Sequence, residues 1–130
     1  MISYIHSTTV IVKDQDAALD FYTTKLGWEK RLDQDRGNDE RFLTVAPKGA
    51  TTELVLGSRT MYGEGQGLVS GISMIADDLD ATYKDLTAKG VTFKSAPEAM
   101  PWGAKATWFS DPDGNEFFLT EAAEVPAGAS

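Results

Sequence analysis

One imidazole is available to this chain, His6 in "YIHSTTVIV", and there is no cysteine. The missing thiols remove disulfides, thiolate metal sites and cysteine nucleophiles together. His6 is left with three readings: a metal ligand, a ligand-contacting or acid/base group that titrates near neutrality, or a strand residue packed under a helix or hydrogen-bonded locally. The count of ligand positions below favours the last. Glu53 in "TTELVLGS" is the carboxylate to weigh beside it. Other catalytic patterns are missing. "GLVSGIS" has serines and glycines without a G-x-S-x-G elbow. "GEGQG" lacks the Lys and hydroxyl that complete a phosphate-binding loop. Trp102, in the loop "AMPWGAK", is a loop aromatic of the kind that is open to a ligand. Phe21, Tyr22, Phe93, Phe109 and Phe117 read as core, because large apolar side chains mostly fill interiors.

These residues must be positioned by a regular run of elements. "SYIHSTTVIV" alternates and is rich in β-branched residues, so it reads as a strand. "DAALDFYTTKLG" has helical spacing, with Asp14 or Asp16 as cap and Gly27 as stop. "WEKRLDQD", "RFLTVAP" and "TTELVLGS" then read as strands separated by turns. The order repeats: strand "LVSGISMIA", helix "DDLDATYKDLTAKG", and strands "VTFKSAPEA", "AKATWFS" and "NEFFLTEA". "SDPDGN" is a tight turn between the last two. At an offset of 64 positions Asp14 meets Asp78, Asp16 meets Asp80, Ala17 meets Ala81 and Lys25 meets Lys89. The expected organisation is a β-α-β-β-β module over 1–60, a glycine-rich linker over 61–68, a second module over 69–123 and a flexible tail over 124–130, one compact domain overall.

Composition narrows the partners. The net charge of −8 argues against nucleic acid, which needs a basic stripe. No run of about 18 apolar residues is present, so no membrane span is expected. No charged segment followed by an apolar stretch opens the chain, so a cytoplasmic location is the expectation.

The stretches "VIVKDQDAALDFYTTKLGWE", "ISMIADDLDATYKDLTAKGV", the loop around "PWG" and "FSDPDGNEFFL" resemble the vicinal oxygen chelate superfamily of glyoxalases, bleomycin-resistance proteins and extradiol dioxygenases. The resemblance implies an α+β fold in which two paired β-α-β-β-β modules form a cupped mixed sheet around a central cavity, helices outside. Metal-dependent members place ligands at four points. Counted back from Asp14 the first falls on Ser7, one residue past His6. Counted back from Asp78 the third falls on Gly71, and the fourth, read forward from "DPDG", on Phe118. The second is Glu53 or Val55. At most one of the four then carries a ligand atom, whereas a transition metal needs about three.

The resemblance therefore implies a metal-free binding protein of the bleomycin-resistance kind, related to antibiotic resistance, with no cofactor. Its ligand would be a small, flat or aromatic organic molecule. Strand parity gives Ser7, Thr9, Glu53, Val55, Gly71, Ser73 and Phe118 as cavity residues. Trp102, Trp108, Phe42 and Tyr62 are available as walls, and Arg41 or Glu53 for a charged group. The alternatives are a divalent-metal lyase, isomerase or dioxygenase of the same superfamily, and a metal-free enzyme using His6 or Glu53 as base. A homodimer is expected.

Overall fold

The computed structural model describes residues 1–38, 40–63 and 69–121. They hold nine strands: β1 (Ser7–Val12), β2 (Glu29–Asp35), β3 (Arg41–Ala46), β4 (Glu53–Ser58), β5 (Val69–Ala76), β6 (Thr92–Phe93), β7 (Glu98–Ala99), β8 (Lys105–Ser110) and β9 (Glu116–Glu121). The α-helices are α1 (Gln15–Asp20), α2 (Arg59–Tyr62) and α3 (Leu79–Ala88). The chain divides into two compact units: residues 1–70 with 111–115, and residues 71–110 with those from 116 on. The expected tail and most of the expected linker lie outside the described residues.

In the first unit the sheet order is β1-β4-β3-β2. β1 runs parallel to β4 and the other pairs are antiparallel. The face toward α1 is apolar: Val10, Val12, Leu43, Val45, Leu54 and Leu56 are buried with Ala18, Phe21 and Tyr22. An ion pair fixes which face this is. Arg41 of β3 shares the parity of Leu43 and Val45, and its guanidinium donates to Asp16 of α1 at 2.7 Å. Asp14 caps α1 through its Oδ1, which accepts from Ala17 N–H at 3.1 Å.

The first helix is shorter and less regular than its spacing predicts. It changes at Phe21 into a π-helical turn, Phe21–Lys25, which Gly27 ends at φ +73°. The Thr23 hydroxyl donates to Leu19 O at 2.7 Å, a bond that competes with the helical ladder. Burial of Phe21 and Tyr22 side by side is compatible with this widened turn.

The turn 111–115 belongs to this unit. Asp111 is buried and organises it. Its Oδ1 accepts from the N–H groups of Asp113 and Asn115, and its Oδ2 accepts from Asn115 Nδ2 and from the Tyr22 hydroxyl at 2.9 Å. Asn115 Nδ2 also donates to Ile11 O, and Lys13 N–H donates to Asp113. Burial, then the Asp111 charge, push the Tyr22 hydroxyl well above its ordinary pKa. Burial also raises Asp111, against the lowering effect of the bonds from Asn115 and Tyr22.

The second unit has the order β5-β9-β8-β6, with β7 also on β8. Phe109 and Phe117 are buried on one face, and α3 contacts β9. Asp78 caps α3 by accepting from Ala81 N–H at 3.0 Å. The single strand expected over "VTFKSAPEA" is instead two short ones, β6 and β7. Pro97 lies between them and has no N–H for a ladder. The Thr107 hydroxyl takes up Ser95 O at 2.6 Å.

Two further expectations change. β1 starts at Ser7, because Ser7↔Glu53 is its first register pair with β4. His6 stands just before it, exposed, and its carbonyl accepts from Glu53 N–H at 2.9 Å. It is not packed beneath a helix. The start of the expected linker is helical: α2 follows Ser58, whose hydroxyl accepts from Met61 N–H at 3.3 Å.

Candidate functional site

Neighbouring residues in a strand register share a face, so register gives the grouping directly. On the first sheet's face away from α1, Ser7 lies beside Glu53 and Thr9 beside Val55. Val55 in turn lies beside Thr44, and Ala46 beside Glu29. Ser7, Thr9, Glu53 and Val55 are thus brought together. Val55 and Thr44 are buried and Thr9 is exposed. Arg41 is on the opposite face, and its guanidinium is already engaged by Asp33 at 2.8 and 2.9 Å and by Asp16. The Arg41 fork holds the Asp33 carboxyl at a pKa of about 2, well below the usual carboxylate range.

Arg31 joins the first group through a register shift between Lys30 and Leu32. A bulge re-aims a side chain, and here it carries the guanidinium toward Glu53. Arg31 Nε donates to Glu29 Oε1 at 2.7 Å, and Nη2 donates to Pro47 O and Ala50 O at 3.2 and 2.9 Å. Nη1 stands 3.9 Å from Glu53 Oε2. Glu53 Oε1 is buried and has no hydrogen-bond partner among the described residues. Sequence reasoning missed Arg31, because spacing carries no signal for a bulge.

Tyr62 covers the other end of this face. A Cβ built on Gly57 would come within 2.5 and 2.7 Å of the Tyr62 ring and 3.1 Å of Thr9 Cγ2. Glycine inside "LVLGS" leaves the room that ring occupies, and a glycine within a strand is the signal that could have revealed it.

The second unit groups the aromatics. Trp108 and Phe118 are cross-strand partners with rings 5.0 Å apart, edge to face. Trp102, 66% exposed, has its ring 6.5 Å from Phe118. Lys94 Nζ lies 5.7 Å above the Trp108 ring and 3.2 Å from Glu116. Gly71 and Ser73 are exposed on β5, with Val69 and Ile75 of the same parity. Gly71 has φ +74°, which explains a glycine there by backbone conformation.

A family-type metal would draw its donors from four positions. The four positions hold a hydroxyl, a carboxylate or valine, a bare glycine and a phenyl ring. Among the described residues no three His, Cys, Asp or Glu side chains are grouped to hold an ion. This donor set does not fit a transition metal. No helix among the described residues is long and apolar enough to cross a membrane.

Two mixed sheets of this order, each with a helix, and the buried turn at 111–115 define a glyoxalase-type fold. The model of the Glyoxalase/Bleomycin resistance protein/Dioxygenase superfamily matches residues 4–119, and the chain belongs to that family. A crystal structure of a superfamily member from Sphaerobacter thermophilus DSM 20745 is 54% identical, with TM-score 0.90, covering 93% of this chain and 98% of that one. That of TnmS3, an antibiotic binding protein from Streptomyces sp. CB03234, is 38% identical with TM-score 0.82, covering 94% and 98%. Among curated proteins the chain is similar to the uncharacterized protein YetH of Bacillus subtilis (strain 168), 36% identical over 93% of this chain and all of the relative.

Proposed function

We propose that this protein binds a small, flat or aromatic organic molecule and does so without a metal. The observation that carries this is the cluster Trp102, Trp108 and Phe118, with Trp102 largely exposed on a loop. Such rings offer large contact area at little conformational cost. The similarity to an antibiotic binding protein over nearly the whole chain supports it. So does the donor set, in which Ser7, Gly71 and Phe118 stand where metal-dependent relatives keep ligands. Ser7, Thr9, Glu53 and Val55 on the first sheet and Gly71 and Ser73 on the second are the further contacts proposed. Arg41 holds α1 to β3 instead. A homodimer in the cytoplasm fits this role.

Tryptophan fluorescence tests the proposal. Protein stripped with EDTA is titrated with planar aromatic antibiotics, and saturable quenching is expected. Trp102→Ala should weaken the affinity by roughly three- to tenfold, the scale of one lost aromatic contact. A stoichiometric divalent ion required for binding would overturn the metal-free reading.

A further inference from the structure

The first sheet's face away from α1 has a polar end and an aromatic end. At the polar end two carboxylates, Glu29 and Glu53, share one guanidinium. Arg31 spends its Nε on Glu29 and Nη2 on two carbonyls. One negative charge is left over, and Glu53 Oε1 is buried with no hydrogen-bond partner among the described residues. A buried acceptor left unpaired is destabilising, and an arriving donor would relieve that. At the other end the Tyr62 ring lies on Gly57, with its outer side in solvent at 44% exposure. Glu53 and Gly57 are both on β4, four residues apart, or about 13 Å along an extended strand. Thr9, Val55 and Thr44 lie between, a floor of small side chains.

We propose that this face is a two-ended binding strip: the Glu53 carboxylate receives a cationic hydrogen-bond donor, and the Tyr62 ring stacks on a flat aromatic system. The ligand class is therefore a planar aromatic that carries a protonated or N–H-bearing group at one end. Arg31 Nη1 lies on the Oε2 side of Glu53, at 3.9 Å, and Oε1 is left for the ligand. The strip rests on the ligand-binding function proposed above and gives it a chemical preference.

Two fluorescent probes separate the parts. Proflavine is a flat cation with terminal amino groups. Acridine has the same rings, and at mildly alkaline pH it is neutral and has no N–H. The wild-type protein should prefer proflavine by on the order of tenfold or more, the scale of a charge-assisted hydrogen bond. Glu53→Gln should abolish that preference while leaving acridine binding little changed. Tyr62→Ala should weaken both probes by roughly the same few-fold factor, as loss of stacking requires. Asp85→Asn on α3 removes one charge far along the chain. If it erases the preference as Glu53→Gln does, the preference is only the attraction of cations to an acidic protein, and the strip is overturned. Equal binding of both probes, unaffected by Glu53→Gln, also overturns the strip and leaves aromatic binding standing. Binding of neither probe overturns aromatic binding and the strip together. Circular dichroism of each variant guards against loss of fold.

Discussion

The Tyr22 hydroxyl is one of four donors to the buried Asp111 carboxylate. Tyr22→Phe keeps the ring in the core and deletes that donor. Burial leaves no water to replace it, so the variant should lose about 1–3 kcal/mol, read as a lower urea midpoint with an unchanged slope. Arg41 and Asp33 make the complementary surface case. Asp33 titrates at about 2 when folded, against about 3.9 for a free aspartate. A lowered folded-state value means that stability is present above the unfolded pKa and is lost as pH falls through the folded one. The pair's contribution should therefore fade between about pH 4 and pH 2. In Arg41→Gln the Asp33 carboxyl, followed by carbon NMR, should titrate near the ordinary aspartate value. An unmoved midpoint would contradict the role given to Arg41.

At the scale of elements, β4 and α2 must fit each other through Gly57 and Tyr62. A methyl at Gly57 meets the ring at 2.5 Å, which no Cβ tolerates, so Gly57→Ala should displace Tyr62 and raise its exposure. Iodide quenching of tyrosine fluorescence in a background with the tryptophans replaced would show this as increased quenching. The turn 111–115 makes a similar demand: Gly114 has φ +81°, and Gly114→Ala should cost about 1 kcal/mol, measurable by thermal unfolding. Much at this scale was legible in the sequence. An aspartate cap at Asp14 or Asp16, the stop at Gly27 and the alternation of strands and helices follow from local chemistry that each residue carries by itself. The rest depends on pairing. A bulge at Arg31 is a fact about β2 against β3, and no spacing in "WEKRLDQD" encodes it. His6 was misplaced because alternation continues upstream of Ser7, whereas β4 provides its first partner only at Glu53. Arg41 looked free for a ligand because the sequence cannot show that Asp16 and Asp33 converge on it.

For the whole molecule, family membership determines the fold more tightly than the chemistry, since one fold hosts many functions. The chemistry is read from the donor set. Four positions that hold metal ligands in metal-dependent relatives are here a serine, Glu53 or Val55, a glycine held at positive φ, and a phenylalanine packed on Trp108. One carboxylate cannot assemble a metal centre, but a carboxylate whose buried Oε1 has no hydrogen-bond partner among the described residues suits an organic ligand. Native mass spectrometry of protein recovered from its own cells, before and after EDTA treatment, tests the central claim most directly. The account predicts a bound organic molecule whose mass and occupancy are unchanged by EDTA. A stoichiometric divalent metal ion, with the organic adduct lost on its removal, would contradict it.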